Sequence, residues 1–515
     1  MACAERMPPA KGRFPMKALF KVTALFVAVA CFVWIVVLWR WRTVQREMDV
    51  GDIVLYLAIL PVVAFALLLA ARWAVGKSVA RQDAKAAAVA APAATPRAAG
   101  AAARPGEAVR PAWSWHLLAA WAHTAGGSSV DELLEAIESG QPRPRPDAAL
   151  HDDDGLPVMT ARIADLDANG VETSLRRGVA AMTDGLDGAA PAPAPARAVR
   201  ALASLSPLLD ELAQSLRTWA QQWEDGAALA ARADGVAPAA ETARIVRVLA
   251  AWPGDWDDAT CACAQAWLAE RLCDPLADLL PSPRWALRSQ RMSGAELLST
   301  AERTLDALQR QGRDDPVVLV ACHSDLDAAG IRRLDDDRRL FHSARRPKVA
   351  MAGEGAAVLV LSAIDWPADA ALGIERVRFH SPAVVRRAES VEAAGRTSSD
   401  DARRLVEHQL AGAAIAGATV AKLASDADQH TARATELFAV TLALLPDLDA
   451  NEDLRLAGTI AGRLEAAAPL VTLAMAAAQA RDSGKPVVAL SLADPHWRMA
   501  AVLRPASFQN VARPA

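Results

Sequence analysis

The chain has 515 residues, of which 53% are hydrophobic, and its formal net charge is -4 at pH 7. This length supplies a large core plus accessory segments, and the charge balance argues against a nucleic-acid partner, which requires a basic surface. Six cysteines in so long a chain do not make a disulfide framework. A reducing compartment is therefore the simpler interpretation.

Two apolar segments near the N-terminus predict membrane-spanning helices. Val22–Trp39 carries no charged residue, and Ile53–Ala71 is a second uncharged segment, interrupted only by Pro61. Each is about long enough to cross a hydrocarbon core of roughly 30 Å as a helix. A cleaved signal peptide is the alternative for the first segment, but a second span follows closely and no small-residue cleavage site separates them. We therefore predict a basic tail over residues 1–21 and a transmembrane helical hairpin over residues 22–75.

The charges around this hairpin predict its orientation. Lysines and arginines flank it on both sides, and the loop between the spans holds Arg40, Arg42 and Arg46. Positively charged flanks stay in the cytoplasm. We therefore predict a bacterial inner-membrane protein with two spans, whose soluble region faces the cytoplasm. A periplasmic soluble region is the alternative, if the loop arginines dominate.

The hairpin is followed by a tether and then by a folded region. Residues 76–112 are rich in Ala, Pro, Gly and Arg and lack apolar periodicity, so they cannot bury enough surface to fold. From Trp113 onward, helical and strand-like segments alternate, which predicts an α/β fold. The helix candidates are Ser129–Ser139, Ala198–Trp223, Ala262–Leu272, Gly294–Arg310, Asp400–Leu410, Thr435–Leu445 and Ala457–Asp482. The strand candidates are Val317–Ala321, Ala356–Leu361, Arg376–Arg378, Val487–Leu492 and Ala500–Leu503.

One stretch organises this region. Gly353, Glu354 and Gly355 precede the apolar, β-branched run Val358–Leu361. The run predicts a strand that is buried on both faces. The two glycines predict a tight turn that packs closely against another part of the backbone.

The order of these segments resembles the thiolase-like fold of the β-ketoacyl synthases. The resemblance is carried by Leu117–Gly140, by the helix Gly294–Arg310 with the strand segment Pro316–Asp325, and by the Ala457–Leu470 segment. It implies a layered α/β/α/β/α region, with a first half over residues 113–290 that contains insertions and a second half over residues 291–515. Homodimers are usual for the fold that the chain resembles.

The chain departs from this family at the catalytic positions. A ketosynthase needs a cysteine nucleophile at a helix N-terminus and two histidines. The matching turn, Ser289–Gly294, contains Arg291 and Met292 but no cysteine. The second histidine position holds Thr459, and the loop of the first offers only His430, one residue displaced. We therefore predict a pseudo-enzyme that uses no cofactor.

Another site could have replaced the lost one. Cys322, His323 and Asp325 lie at the C-terminal end of a predicted strand, where ligand sites of α/β sheets collect. Together with Gly353, Glu354 and Gly355 they form our candidate pocket. Neighbouring strand residues point to opposite faces, however, so Cys322 and His323 should not form a catalytic dyad. The pair Cys261 and Cys263 has no second pair at metal-ligand spacing, and we predict no metal site.

A second resemblance concerns the whole arrangement, in which a membrane hairpin and a tether precede a thiolase-like region that lacks the catalytic residues. The segments Arg143–Gly155 and Gly155–Asp167 resemble the first domain of the type VI secretion lipase adaptor proteins. This resemblance implies a membrane-anchored adaptor that binds a phospholipase effector and passes it to a VgrG spike protein. Two alternatives remain. One is a protein of lipid metabolism that binds an acyl chain or acyl-carrier protein, and the other is a structural component of an envelope or secretion complex.

Overall fold

The computed structural model describes residues 114–183, 194–234, 244–281, 284–343, 346, 349–364, 366, 377–391 and 398–505. These residues belong to one compact unit, residues 103–515. Inside these ranges, no helix combines the length and the apolar character needed to span a membrane. The predicted tail, hairpin and tether lie outside the described residues.

In the described part of the chain, thirteen strands form one mixed sheet. The strands are β1 (Ser114–Thr124), β2 (Arg145–His151), β3 (Pro157–Ala161), β4 (Val246–Trp252), β5 (Trp285–Arg291), β6 (Val317–Ser324), β7 (Ala352–Ser362), β8 (Val377–His380), β9 (Ala383–Arg386), β10 (Lys422–Ser425), β11 (Leu454–Leu456), β12 (Val487–Ser491) and β13 (Trp497–Pro505). Their main order is β11-β10-β12-β13-β8-β1-β7-β6-β4-β5.

The helices of the described residues are α1 (Val130–Ser139), α2 (Ala168–Thr183), α3 (Ala196–Asp234), α4 (Asp258–Leu272), α5 (Gly294–Arg310), α6 (Ala328–Asp336), α7 (Asp400–Gly412), α8 (Thr431–Leu444), α9 (Gly458–Ala461) and α10 (Ala468–Ser483). A single 3-10 turn, Glu465–Ala467, leads into α10.

The sheet contains the same arrangement of four strands twice. In the first half the order is β5-β4-β6-β7, where the first three strands are parallel and β7 is antiparallel to β6. In the second half the order is β11-β10-β12-β13, again with three parallel strands followed by an antiparallel one. β1 pairs with β7 and β8, and β8 pairs with β13. β1 and β8 therefore join the two halves into one sheet.

Two helices share the inner core but bury different amounts of their surface. In α5 the apolar residues recur every three or four positions, as at Leu297, Leu298, Ala301, Leu305 and Leu308, so only one face is buried. In α10 every residue from Ala468 to Ala480 is buried. α10 contacts strands of both halves as well as α1 and α5. Its uniformly apolar sequence is explained by this central position.

The remaining large helices cover the outer faces of the sheet. α3 packs on β6, β7 and β1, and its apolar residues form a second core with those of α4. α7 and α8 form a third core with β10, β12 and β13. Each half of the sheet is therefore covered by helices, which is the mixed α/β organisation that the segment order predicted.

The structure corrects two of the predicted elements. The predicted helix Ala457–Asp482 is broken, because Gly462 adopts φ +64° between α9 and the turn that precedes α10. The predicted turn at Gly353 is also wrong, since β7 runs through it without a break. A Cβ atom at Gly353 would lie 2.3 Å from the carbonyl oxygen of Ala461. The glycine is therefore needed for close backbone packing, which was predicted, and not for a turn.

The boundary before α5 also differs from the prediction. Ser289, Gln290 and Arg291 belong to strand β5, so the turn consists of Met292 and Ser293 alone. Strand β5 was not predicted, because its sequence WALRSQR is polar over its second half and it lies at the edge of the sheet. The helix Gly294–Arg310 has the predicted bounds.

Candidate functional site

The N-termini of α5 and α10 meet beside an open cavity of about 500 Å³, which we call the central cavity. Gly294 begins α5, and a Cβ atom there would lie 2.5 Å from the carbonyl oxygen of Ala466 and 2.8 Å from the Pro469 ring. The two helix ends are thus in direct contact. Both helix ends direct the partial positive charge of the helix dipole toward this region.

The residues that begin α5 are fully engaged with each other. The backbone N–H of Glu296 donates to Oγ of Ser293 at 3.3 Å. In return, Oε2 of Glu296 accepts hydrogen bonds from the Ser293 backbone N–H and from its hydroxyl, both at 2.9 Å. This is a complete capping box, which stabilises the first turn of a helix. The Ser293 hydroxyl therefore serves the helix end and is bonded to a carboxylate rather than to a histidine.

A ring of four titratable side chains lies at the cavity wall, and all but Glu465 are buried. Nε2 of His323 lies 3.2 Å from Oδ1 of Asp325, and Nδ1 lies 3.6 Å from Oε2 of Glu465. Arg463 closes the ring, because its Nε donates to Oδ2 of Asp325 at 3.2 Å and its Nη2 pairs with Glu465. Of these residues, Arg463 and Glu465 also line the cavity.

The ring shifts the pKa values of its members. Burial disfavours the charged form of His323, but the carboxylates of Asp325 and Glu465 outweigh this and raise its pKa above the ordinary value. Burial likewise opposes ionisation of Asp325, yet Arg463 and His323 hold its pKa well below the usual range. Glu465 follows the same pattern, and its pKa is lowered chiefly by Arg463 and His323 against the effect of burial. The ring therefore favours the charged forms of His323, Asp325 and Glu465.

A further carboxylate lies deeper, next to the helix contact. Asp426 shares a small cavity with Gly294, Glu465 and Trp497. Its Oδ1 accepts hydrogen bonds from the backbone N–H groups of Leu492 at 2.6 Å and Ala493 at 3.0 Å, and the Ser491 hydroxyl donates to Oδ2. Burial raises the pKa of Asp426 in spite of these bonds. The carboxylates of Asp426, Glu465 and Asp494 thus lie near the α5 N-terminus, together with the guanidinium group of Arg498.

The structure does not bring the predicted degenerate catalytic positions together. Met292 and Arg291 line the central cavity, and Arg291 also pairs with Asp258 at 2.7 Å. His430 instead caps α8, where its Nδ1 accepts a hydrogen bond from the backbone of Ala432 at 3.3 Å. Thr459 is exposed and donates to the Leu456 carbonyl oxygen at 2.7 Å. Neither His430 nor Thr459 lines the cavity.

The candidate pocket residues are buried on the neighbouring strands β6 and β7, except that Asp325 lies directly after β6. Cys322 packs in the outer core under α3, and burial raises the pKa of its thiol. His323 contacts Glu465 on the other side of the strand, so the two side chains do not form a dyad. Burial also raises the pKa values of Cys261 and Cys263, which disfavours thiolate formation.

Glu354 organises a second buried contact. Its carboxylate accepts hydrogen bonds from Nε of Arg200 at 2.8 Å, from the Ser324 hydroxyl at 3.0 Å and from the Ile163 backbone at 2.8 Å. Glu354 thus joins α3, β6 and the segment after β3. Gly353 and Gly355, on either side of it, allow the close approach of neighbouring backbone, since a Cβ at Gly355 would lie 2.8 Å from the carbonyl oxygen of His123.

Sequence reasoning missed most of the residues that form the site. Arg463 and Glu465 come from the segment that was predicted as one apolar helix. Asp494 comes from the connection between β12 and β13, and Trp497 is the first residue of β13. A signal for the first pair was present. Two charged residues interrupt an otherwise apolar, alanine-rich segment, and charges are rarely buried without partners.

No protein-family model matches the sequence, and no curated protein matches it. Among solved structures, the ketosynthase from module 6 of the bacillaene synthase of Bacillus subtilis 168 is similar, with a TM-score of 0.51, 11% identity and coverage of 78% of this chain and 73% of that one. An oxazolomycin ketosynthase domain from Streptomyces albus JA3453 gives 0.49 at 11% identity, with coverage of 78% and 75%. The ishigamide ketosynthase/chain length factor gives 0.45 at 15% identity, with coverage of 76% and 99%.

The first of these similarities defines the fold class. The chain has a mixed α/β fold of the thiolase-like, ketosynthase type. At this level of identity the similarity extends to the fold alone, so the chemistry must be argued from the cavity itself.

Proposed function

We propose that the protein is a ketosynthase-like pseudo-enzyme that acts by binding a partner and not by condensing acyl chains. The observation that carries the proposal is the α5 N-terminus, where Met292 and the capped Ser293 stand in the place that the resemblance assigns to the nucleophile. A thioester-forming enzyme needs a thiolate or an activated hydroxyl at this place.

The histidine content of the cavity supports the same conclusion. Condensation passes through an enolate, whose negative charge must be stabilised by donors or cations. The carboxylates of Glu296, Glu465 and Asp494 line the cavity together with four arginines, Arg291, Arg339, Arg386 and Arg463. Arg463 is already paired with Asp325 and Glu465. His496 lines the cavity as well, but a single histidine among the described lining residues does not reproduce the two-histidine set that the ketosynthase resemblance requires.

The favoured partner class comes from the resemblance to the β-ketoacyl synthases. Because those enzymes act on acyl thioesters, we propose an acyl-carrier protein, or the acyl chain that it carries, as the ligand of a protein of lipid metabolism. The charged lining of the central cavity disfavours deep burial of an apolar chain. We therefore propose that the carrier protein itself contributes most of the contact.

The second candidate is the type VI secretion adaptor, which would bind a phospholipase effector and a VgrG spike protein. It is favoured by the segment Arg143–Asp167, whose resemblance to that family falls on the β2–β3 hairpin. This hairpin is largely exposed, and Leu156 at its tip has 53% of its surface accessible. In either case we propose that the spans within residues 22–75 anchor the folded region to the cytoplasmic face of the inner membrane.

Affinity purification of the tagged full-length protein from its native cells, in mild detergent, tests both candidates. Recovery of an acyl-carrier protein supports the first, and recovery of a phospholipase with VgrG supports the second. Leu156→Asp should abolish recovery of a phospholipase but leave an acyl-carrier protein bound. Leu442→Asp is the matched control, because Leu442 is a 79% exposed leucine on α8, away from the hairpin. Acyl condensation by the purified protein would overturn both candidates.

A further inference from the structure

Three neighbouring strands place basic side chains in one row across the sheet. Arg504 of β13 is opposite Arg378 of β8, and Arg378 is opposite His116 of β1. Residues directly opposite on adjacent strands share a face of the sheet, with strands about 4.8 Å apart. His380, two residues after Arg378, extends the same face by one row. We call Arg378, His380 and Arg504 the cationic seam.

The seam lies between the two outer cores. On the opposite face, the alternate residues Trp115, Val377 and Leu503 pack in the inner core. On the seam's own face, Leu118 of β1 belongs to the core under α3, and Val502 of β13 belongs to the core under α7 and α8. The seam therefore lies on the sheet face that carries residues of both outer cores, and Arg504 is partly open to solvent.

Two members of the seam lack counter-groups within the described residues. No carboxylate there lies within ion-pair distance of Arg504. His380 is only 8% exposed, and neither of its ring nitrogens has a hydrogen-bond partner in the described ranges. Like charges opposite each other on adjacent strands destabilise a sheet, and a buried polar atom without a partner is costly.

The pKa shifts agree with this geometry. The pKa of Arg504 is lowered, first by burial and then by the charge of Arg378. The pKa of His380 is lowered, again first by burial and then by the charge of Arg504. Both shifts have the direction expected for buried basic groups that lie close to one another.

We propose that the cationic seam binds a phosphate group, either of a small phosphate ester or of a phospholipid headgroup. Two guanidinium groups on adjacent strands can each donate to a different oxygen of one phosphate, and the His380 ring supplies a third donor. A bound phosphate gives Arg504 a counter-charge and satisfies the buried imidazole of His380. The site is separate from the central cavity and does not depend on the function proposed for it.

Phosphate titration of the full-length protein in a neutral detergent tests this site. We expect inorganic phosphate to bind and to raise the unfolding temperature above that in chloride of equal ionic strength. Arg504→Gln should weaken binding roughly tenfold or more, as expected for loss of a charge-assisted hydrogen bond. His380→Gln should also weaken it. Arg404→Gln, at an exposed arginine of α7, is the matched control and should leave binding within about twofold, because surface ion pairs contribute little.

Two further arms make the test decisive. Binding of glycerol 3-phosphate is compared with binding of dihexanoyl phosphatidylglycerol, which is kept below its micellar concentration. Tighter binding of the lipid identifies a site for a phospholipid headgroup, and equal binding identifies a site for soluble phosphate esters. In phosphate-free chloride buffer, Arg504→Gln should be at least as stable as the parent. Absence of phosphate binding would overturn the proposal. Destabilisation by Arg504→Gln in that buffer would also overturn it, because this result would mean that the protein itself neutralises Arg504.

Discussion

Each half of the molecule has a glutamate–arginine ion pair near the start of the fourth strand of its repeat. In the first half the strand carries the glutamate, and in the second half it carries the arginine. In the first half, Glu354 on β7 pairs with Arg200 of α3, with 2.5 Å between Oε1 and Nη2. In the second half, Arg498 on β13 pairs with Glu436 of α8, with 2.7 Å between Nη2 and Oε2. The position therefore tolerates either charge on the strand, provided that the covering helix supplies the opposite one.

The two pairs differ in how completely they are enclosed. The side chain of Arg200 is 17% exposed, whereas Arg498 and Glu436 are both fully buried, and Glu436 also pairs with Arg387. Removing one partner of a fully buried pair leaves an uncompensated charge that water cannot reach. The second pair should thus be the more sensitive of the two.

The largest effect is expected from neutralising the acidic partner in each half. Glu436→Gln should destabilise the protein by about 3–5 kcal/mol, because two buried arginines lose their counter-charge. Glu354→Gln should cost less, because water can still reach Arg200. Chemical denaturation measures both. Asp401→Asn, in an exposed pair with Arg404, is the control and should cost at most about 1 kcal/mol. Equal losses at Glu354 and Glu436 would remove the distinction between the halves.

The contact between the two helix ends gives the next effect. Gly294→Ala would place a methyl group 2.5 Å from the Ala466 carbonyl oxygen, so we expect a loss of about 1–3 kcal/mol. Gly254→Ala is the control, because no atom lies within 4 Å of the position that its methyl group would occupy, and it should be neutral or stabilising by up to about 1 kcal/mol. Denaturation midpoints that shift equally for both variants would contradict the tight contact.

A smaller effect is expected at the start of α5. Its N-cap Ser293 makes a capping box, whereas α10 begins at Ala467 without a side-chain cap. Ser293→Ala makes the first helix start like the second and should cost about 1 kcal/mol. Ser293→Thr retains a hydroxyl and should recover most of that loss. A stability loss without the recovery would mean that the hydroxyl is not acting as the cap.

The smallest effect is a change in pH dependence. His323 has a raised pKa in the folded protein, so its stabilising contribution is fully present below the unfolded value near 6.5 and is lost as the pH rises through the higher folded value. Between about pH 6 and pH 9 the parent should therefore lose more stability than His323→Gln. Parallel stability profiles for the two proteins would show that the charge on His323 does not contribute.

The fold was more accessible from the sequence than the site. The strand at Val317, the buried strand at Val358 and the helix at Gly294 follow from apolar periodicity, which is a local property. Strand β5 and the break at Gly462 were missed. The first is a half-exposed edge strand, and the second depends on close packing against the backbone of Met351 and Ala352.

The site depends on contacts between residues that are distant in the sequence. His323 and Glu465 come from opposite halves of the molecule, and their ring with Asp325 and Arg463 has no local signature. By contrast, the sequence itself shows that no cysteine is present at the α5 N-terminus, because this feature concerns one short segment. His430 and Thr459 were selected by segment order, which does not report where side chains meet.

The most direct test of the central claim is the intact mass of the full-length protein after incubation with an acylated carrier protein. A binding protein without a nucleophile should keep its own mass while the acylated carrier remains intact, even where the two proteins associate. An acyl adduct on the protein, above all on Ser293, would contradict the account and would show that the α5 N-terminus retains transfer chemistry.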